Sequence, residues 1–215
     1  HGARRCFSAG FDMKESAARE IKGADEWRAV LTKDFDFIMQ FWHCAKPTIA
    51  AAHGYCIGGA LELLMACDLA VAAESTQLGE PEVRFGSGIV AMLAPHVIPA
   101  KHAKELLLTG NAHISAQRCY EMGILNKVVA EGDELEAAME LAHQIAASAP
   151  QSVQMTKGAI NKSYEFAHMR DALLDALETD IQIEADESPE RIEFNRIRKE
   201  QGLKATLIWR DGLAK

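Results

Sequence analysis

The chain has 215 residues and a formal net charge of −8, with 48% hydrophobic and 25% charged residues. This length and composition are typical of one large globular domain, or of one domain with an appended region. The negative charge argues against a nucleic-acid-binding surface and against docking to an anionic membrane, so neither partner is predicted.

The five cysteines are scattered along the chain, and none forms a C-x-x-C pair. This pattern indicates free, mostly buried thiols in a reducing compartment, so we predict a cytoplasmic protein. No group of His or Cys residues has the spacing of zinc ligands, so no metal site is predicted. Four histidines stand alone in the sequence and are interpreted as structural residues: His43, His53, His96 and His102.

The N-terminal part of the chain combines a glycine-bearing motif with a long helix. The motif is Phe7-Ser8-Ala9-Gly10-Phe11-Asp12, whose composition is typical of a tight turn or of close contact between backbone and ligand. An ordinary loop after a strand has the same composition. Asp25–Cys44 is predicted to be an amphipathic helix, because apolar residues recur at helical spacing, and Lys46-Pro47 ends it.

A strand-to-helix corner follows, built around Gly58 and Gly59. Thr48–Ala52 is predicted to be a buried strand, and Ala60–Cys67 contains strong helix formers and no helix breaker. The first N–H groups of a helix have no partner within the helix, and the helix dipole adds to their attraction for negative charge. Glu62 lies in the first turn, so the corner combines an anion-binding backbone with a carboxylate. An ordinary surface glutamate would give the same pattern.

A second buried strand is predicted at Leu69–Ala73, and the alternation of strand, helix and strand indicates an α/β core. Glu80-Pro81-Glu82 follows in a stretch without periodicity. Proline keeps the chain extended, so Glu82 is expected to project from a loop or from a strand end. Taken alone, this pattern favours an exposed acidic loop residue.

The rest of the chain is predicted to be mostly helical. Leu93–Leu108 is a helix interrupted near its prolines, Ser115 and Gly123 cap a short helix, and Ile124–Val129 is a last short strand. The chain is therefore divided into an α/β core over residues 1–130 and a helical region over residues 131–215. The first helix of that region has a predicted apolar face of Leu135, Ala138, Met139, Ala142, Ile145 and Ala146. A later helix has an apolar stripe that must be buried somewhere: Ala172, Leu173, Ala176, Leu177 and Ile181.

Three segments together resemble the signature of the crotonase family, which is the enoyl-CoA hydratase/isomerase superfamily. They are Phe7–Asp12, His53–Glu62 and Glu80–Glu82, and the stretches Leu106–Gly110 and Glu121–Val129 are similar to a later family pattern. Each motif alone is short, but their joint order and spacing are specific. Family members carry further strands before the first motif, and these are expected to be missing from this sequence.

The resemblance implies an α/β fold, a crotonase-like spiral of ββα units with a C-terminal helical region that forms homotrimers, often paired into hexamers. It also implies an acyl-CoA thioester substrate, with coenzyme A as part of the substrate and no separate cofactor. By position, Glu62 and Glu82 match the two catalytic glutamates, and the backbone N–H groups of Phe11 and Gly59 would form the oxyanion hole. The implied contacts with substrate and coenzyme A come from Ala9, Gly10, Asp12, Met13 and Gly58.

The resemblance favours an enoyl-CoA hydratase, which adds water across the double bond of a 2-enoyl-CoA thioester in fatty-acid β-oxidation. Two N–H donors stabilise the enolate, while Glu62 activates water and Glu82 donates a proton to the α-carbon. An enoyl-CoA isomerase, or an acyl-CoA hydrolase or lyase of the same fold, is an alternative. A non-catalytic CoA-ester-binding protein is another. The presence of both glutamates favours hydration over these.

Overall fold

The computed structural model describes residues 1–12, 21–186 and 188–212. The first half of the chain alternates short strands with helices, as expected for an α/β core. Its first six elements are α1 (Gly23–His43), β1 (Ile49–Ala52), β2 (Tyr55–Ile57), α2 (Gly59–Ala66), β3 (Leu69–Ala73) and β4 (Gln77–Gly79). The next six are a 3-10 helix (Glu82–Phe85), α3 (Ala94–Val97), α4 (Ala100–Thr109), β5 (Ile114–Ser115), α5 (Ala116–Met122) and β6 (Lys127–Val129).

From Glu134 onward, the described residues form five helices and the short connections between them. These are α6 (Glu134–Ala146), α7 (Pro150–Phe166), α8 (Met169–Ala185), α9 (Pro189–Gln201) and α10 (Leu203–Gly212). Among the described residues, no helix has both the length and the apolar composition that crossing a lipid bilayer requires.

The strands in the described ranges form two small sheets. One sheet has the order β1-β3-β6, with all three strands parallel. The other has the order β2-β4-β5, in which β2 and β4 are parallel and β5 is antiparallel to β4. β1 and β2 are joined by only His53 and Gly54, so consecutive strands belong to different sheets. This connection holds the strand-to-helix corner close to the first motif.

The helical region shares its core with the α/β part. Helix α8 packs against α1, and Leu173, Leu177 and Ile181 of α8 are 2%, 5% and 1% exposed. These three residues of the predicted apolar stripe are therefore buried inside the chain itself and need no partner subunit, whereas Ala176 is half-buried and Ala172 is exposed. The main hydrophobic core contains residues from both sides of position 130. The predicted boundary at that position, between an α/β core and a helical region, stays a prediction.

Most predicted elements are confirmed within one or two residues at each end, including both strands of the core and the helix after the corner. The caps of α5 are also confirmed: Oγ of Ser115 accepts a hydrogen bond from the N–H of Arg118, and Gly123 has a φ of 92°. The predicted face of α6 is confirmed at Ala138, which is 6% exposed, and is wrong at Leu135 and Met139, which are 44% and 47% exposed. Ala138 faces the sheet together with Ala137, where small side chains allow α6 to approach Ala51 and Val71 of β1 and β3.

All five cysteines are free thiols, which confirms that part of the prediction. Cys56, in the middle of β2, and Cys119, in α5, are fully buried. The other three are partly buried. Cys56 lies two residues before Gly58, so a buried thiol stands directly beneath the corner.

Candidate active site

The strand-to-helix corner forms where the sequence predicted it. β2 ends at Ile57, Gly58 has a φ of 61°, and α2 begins at Gly59. The carbonyl oxygen of Gly58 accepts hydrogen bonds from the N–H groups of Leu61 and Glu62, at 2.7 and 3.2 Å. No described residue accepts a hydrogen bond from the N–H of Gly59. The helix start therefore presents a free donor.

The first motif is held against this corner by pairing with β2. Three backbone hydrogen bonds make the connection: Phe7 N–H to His53 O (2.8 Å), Ser8 N–H to Tyr55 O (3.0 Å) and Ile57 N–H to Ser8 O (3.3 Å). They place Gly10 so close to the corner that a Cβ atom on it would lie 3.6 Å from the nitrogen of Gly59. The next residue, Phe11, also has an N–H without an acceptor in the described part of the chain. The two predicted oxyanion-hole donors thus come from adjacent segments.

An apolar cleft of about 270 Å³ opens beside the two donors. Gly10, Phe11 and Gly59 line one side, and Phe37 and Phe41 of α1 line the other. The Phe11 ring lies over Gly59, because a Cβ atom on Gly59 would come within 2.4 Å of ring carbon Cε2. Phe11 is 40% exposed, so its ring is a partly exposed wall of the cleft.

Glu62 is buried in the first turn of α2. It is 1% exposed, and its Oε2 accepts a hydrogen bond from the N–H of Ala91 at 2.5 Å. Burial raises the pKa of Glu62 well above its ordinary value, and the charge of Glu82 raises it further, while the hydrogen bond from Ala91 opposes the rise. The alternative of an ordinary surface glutamate is therefore wrong.

Glu82 lies against the same corner, although it comes later in the chain. It begins the 3-10 helix after Pro81, instead of lying in the loop or strand end that was expected. A Cβ atom on Gly58 would lie 2.2 Å from Oε1 of Glu82, and Oε2 is buried with no hydrogen-bond partner among the described residues. Burial raises the pKa of Glu82. The α-carbon of Gly58 therefore faces the carboxyl group of Glu82, while its carbonyl oxygen accepts from the backbone N–H of Glu62.

Glu80 is a third carboxyl group at the site, and the sequence analysis missed its role. It is 0% exposed, and its pKa lies well above the ordinary value because of burial and the charges of Glu82 and Glu62. Neither oxygen of Glu80 has a hydrogen-bond donor among the described residues. Two ionised carboxylates cannot form a hydrogen bond with each other, because neither carries a proton to donate. A proton on Glu80 turns the contact into a hydrogen bond to Glu82.

Asp180 of α8 adds a fourth buried carboxyl group from the helical region. It is 2% exposed, and a Cβ atom on Gly88 would lie 2.3 Å from its Oδ1. Burial raises the pKa of Asp180 to about 7, the charge of Glu184 adds to the rise, and Arg191 opposes it. A sequence signal existed, because Asp180 follows Leu173 and Leu177 at helical spacing and so falls on the buried face.

Arg191 of α9 connects the helical region to the turn after Glu82. Its guanidinium forms an ion pair with Glu184 and donates to Oγ of Ser87 at 2.7 Å and to the carbonyl oxygen of Gly86 at 3.2 Å. Both partners of the ion pair are nearly buried, with side chains 12% and 7% exposed. Helices α8 and α9 therefore position the stretch that leads from Glu82 to Ala91.

Residues 1–193 match the family model for enoyl-CoA hydratase/isomerase. The chain belongs to the enoyl-CoA hydratase/isomerase family. The match includes the first motif, the corner with Glu62, the Glu80-Pro81-Glu82 segment and most of the helical region.

Solved structures and curated relatives agree with this membership. An enoyl-CoA hydratase/isomerase from Xanthobacter autotrophicus Py2 is 44% identical, with a TM-score of 0.95 over 98% of this chain and 78% of that one. Carnitinyl-CoA dehydratase from Salmonella typhi is 37% identical over 163 residues, which are 73% of this chain and 59% of that protein. A carnitinyl-CoA dehydratase from Mycobacterium avium 104 is 34% identical, with a TM-score of 0.54 over 69% of this chain and 61% of that one.

These likenesses confirm the crotonase-like fold. The chain spans less than two thirds of the length of the curated relatives that it matches.

The residues predicted from the family signature to contact substrate differ in their positions. Gly10 lines the cleft, whereas Ala9 and Asp12 are exposed and lie outside its lining. Gly58 is also outside the lining and contacts Glu82. Met13 falls outside the described residues. The contacts of all five with substrate or coenzyme A stay predictions.

Proposed function

We propose that this chain is an enoyl-CoA hydratase, which adds water across the double bond of a 2-enoyl-CoA thioester to give a 3-hydroxyacyl-CoA. One observation carries the proposal: the buried Glu62 and the half-buried Glu82, whose Oε2 is buried, both lie at Gly58, beside the N–H groups of Phe11 and Gly59, which have no acceptor among the described residues. Family membership and the dehydratase names of the curated relatives support a reaction of this class.

In this reaction the two free N–H groups bind the thioester carbonyl oxygen. Addition of water at the β-carbon places negative charge on that oxygen as the enolate forms. Donors fixed in advance at the position of a developing charge each contribute about 2.7–4 kcal/mol in comparable sites. Gly59 begins α2, so the positive end of the helix dipole adds to this stabilisation.

The two glutamates transfer the protons. Ionised Glu62 accepts a proton from water, the remaining hydroxide forms the bond to the β-carbon, and protonated Glu82 gives its proton to the α-carbon. Burial raises the pKa of Glu82, which favours the protonated form that this step needs. The hydrogen bond from Glu80 then stabilises the carboxylate that Glu82 becomes. Coenzyme A is part of the substrate, and the reaction needs no separate cofactor.

The test is the hydration of crotonyl-CoA, followed by the loss of enone absorbance. We expect Glu62→Gln and Glu82→Gln each to lower kcat by about 10²–10⁴-fold, the usual contribution of general acid–base catalysis, with acyl-CoA binding largely intact. Glu74→Gln, at an exposed position after β3, is the control and should leave the rate unchanged. Wild-type turnover by either glutamine variant would remove that glutamate from the mechanism, and an inactive wild-type chain would contradict the proposal.

A second candidate is the dehydration of an acyl-CoA whose acyl group carries a positive charge. The observation in its favour is the excess of buried carboxyl groups, since Glu80 and Asp180 accompany the catalytic pair and Arg191 is already paired with Glu184. A carnitinyl group contains a quaternary ammonium, whose positive charge favours the ionised form of nearby carboxyl groups and is then attracted to them. A tenfold or greater preference in kcat/KM for an enoyl-CoA bearing a trimethylammonium group over crotonyl-CoA, about 1.4 kcal/mol, would favour this candidate.

We also propose a homotrimer or a dimer of trimers, as the family resemblance implies. The stripe on α8 does not support it, but α7 exposes three large apolar side chains that an interface would cover. These are Met155, Ile160 and Phe166, which are 67%, 53% and 75% exposed. Light scattering that finds an active monomer would contradict the proposal.

A further inference from the structure

Two histidines and a glutamate from distant parts of the chain meet in one cluster. His1 precedes the first motif, His53 lies between β1 and β2, and Glu134 is the first residue of α6. One ligand atom from each lies within 4.8 Å of the other two. His53 stands alone in the sequence, because the residues that surround it in the structure are remote along the chain.

The hydrogen bonding of His53 leaves a lone pair that faces a carboxylate. Its Nε2 lies 3.0 Å from the carbonyl oxygen of Arg4, which can only accept, so Nε2 carries the proton. In the neutral ring Nδ1 is then an acceptor, and it lies 3.5 Å from Oε1 of Glu134. Nδ1 has no hydrogen-bond partner among the described residues. Two acceptors that face each other away from water are unfavourable unless a proton or a metal ion lies between them.

His1 points at the same oxygen. Its Nε2 lies 3.4 Å from Oε1 of Glu134, and its ring stacks on that of His53 with the centroids 4.9 Å apart. Glu134 is 5% exposed, and its Oε2 has no hydrogen-bond partner within the described ranges. Both nitrogen–oxygen distances exceed those of ordinary hydrogen bonds. They are close to the separation of about 3.4 Å between two ligands of a tetrahedral zinc ion with bonds of about 2.0–2.1 Å.

The geometry points to a binding site for a divalent cation of the zinc type, with His1, His53 and Glu134 as protein ligands. Two imidazole nitrogens and one carboxylate oxygen suit Zn²⁺ better than Mg²⁺ or Ca²⁺, and water completes the tetrahedron. The hydrogen bond from His53 to the Arg4 carbonyl is the outer contact that metal-bound histidines usually make. The His1 side chain is 35% exposed, so it can close onto the ion.

The expected role of the ion is structural. The carbonyl oxygen of His53 accepts the hydrogen bond from Phe7 that helps to hold the first motif, so an ion on the His53 side chain fixes the same junction. Glu134 would tie this junction to α6. The site does not depend on the reaction proposed above, because none of its ligands belongs to the proposed catalytic groups.

The test measures zinc binding to the chain without a polyhistidine tag and with a short extension before His1, which keeps the α-amino group from acting as a ligand. After removal of metal with a chelator, we expect one Zn²⁺ per chain by calorimetry and by elemental analysis. Zinc at 100 times its Kd should raise Tm by about 5–11 °C. Co²⁺ should give four-coordinate d–d bands without a thiolate charge-transfer band, which separates this site from binding at the five free cysteines.

Matched variants locate the ion. His53→Gln and Glu134→Gln should each weaken zinc binding by more than the 10–100-fold that loss of an outer contact causes. His1→Gln, at a partly exposed position, tests the third ligand with little risk to folding. His143→Gln and Glu136→Gln, both exposed on α6, should bind like the wild type. The proposal would be overturned if the His53 and Glu134 variants bound zinc as tightly as the wild type, or if the wild type bound no stoichiometric zinc. A proton would then lie between Nδ1 of His53 and Oε1 of Glu134.

Discussion

The α-carbon of Gly58 lies directly against the carboxyl group of Glu82, so that a Cβ atom at position 58 would come within 2.2 Å of Oε1. A methyl group there must push the proposed acid out of place. We expect Gly58→Ala to lower kcat for crotonyl-CoA hydration by about 10²-fold, the usual effect of a misplacement of about 1 Å. Steady-state kinetics measures this loss, and KM should change much less than kcat.

The same substitution also strains the backbone, because Gly58 has a φ of 61°. Gly132→Ala separates the two effects. Gly132 has a φ of 92°, but a Cβ atom on it would meet nothing within 4 Å. The Gly132 variant should lose some stability and keep its rate. An equal loss of kcat in both variants would show that strain, and not the displacement of Glu82, lowers the rate.

The contact between Phe11 and Gly59 predicts a non-additive pair of mutations. A Cβ atom on Gly59 would lie 2.4 Å from the Phe11 ring, so Gly59→Ala must move that ring across the cleft. Both N–H donors are kept, and we therefore expect KM for crotonyl-CoA to rise severalfold with a smaller change in kcat. In a Phe11→Ala background the same Gly59→Ala change should be nearly neutral, a coupling of about 0.5–3 kcal/mol. If Gly59→Ala had the same effect on KM in the wild-type and Phe11→Ala backgrounds, the Phe11 ring would not be in contact with Gly59.

Glu80 is expected to act through the hydrogen bond that it donates to Glu82. Glu80→Gln retains an N–H donor and should keep most of the rate. Glu80→Ala removes a charge-assisted hydrogen bond of about 1.5–3 kcal/mol, so kcat should fall about 10–100-fold. Loss of the donor also raises the pKa of Glu82. Since Glu82 must be protonated, the alkaline limb of the pH–rate profile should then move to higher pH in the alanine variant only. Identical pH–rate profiles for Glu80→Gln and Glu80→Ala would show that Glu80 does not act through a hydrogen bond to Glu82.

Asp180 makes folding dependent on pH. Its pKa is about 7 in the folded chain and 3.8 ordinarily, so between these values the folded state keeps a proton that the unfolded state has released. The free energy of unfolding therefore falls as pH rises through this window, by on the order of 4 kcal/mol from this group. Urea unfolding at pH 5 and pH 8 should show a smaller difference for Asp180→Asn than for the wild type.

Asp175→Asn is the control for this measurement, because Asp175 is an exposed carboxylate on the same helix. It should keep the pH dependence of the wild type. Glu62 and Glu80 have raised pKa values as well, so part of the dependence should remain in the Asp180 variant. A wild-type chain that becomes more stable from pH 5 to pH 8 would contradict the sign of the effect.

The sequence predicted the elements that have a local cause. The strand before Gly58, the helix after Gly59 and the caps at Ser115 and Gly123 follow from propensity, glycine conformation and side-chain capping, and the structure has all of them. β2, β4 and β5 were not predicted, because strands of two or three residues show no periodicity of their own. Their pairing depends on partners that are distant in the chain.

For the site, the family signature identified Glu62, Glu82, Phe11 and Gly59, and the structure brings all four together. It also implied that Gly58 contacts substrate, which stays a prediction, and it did not show that the α-carbon of Gly58 faces Glu82. Asp180 was missed because its importance comes from tertiary packing, which sets α8 against the turn at Gly88. A hydrophobic pattern shows which face of a helix is buried, but it does not show what that face meets.

The buried thiol beneath the corner has a consequence for thioester chemistry. Burial raises the pKa of Cys56 well above its usual range, and the pKa values of Cys67 and Cys119 are about 11 and about 12. Only a thiolate attacks a thioester, so these three side chains stay inert toward the acyl group of the proposed substrate. A sulfur atom stands two residues from Gly58, yet it does not compete with coenzyme A as an acyl acceptor. The acyl chain should therefore leave the protein on the same carrier that delivered it.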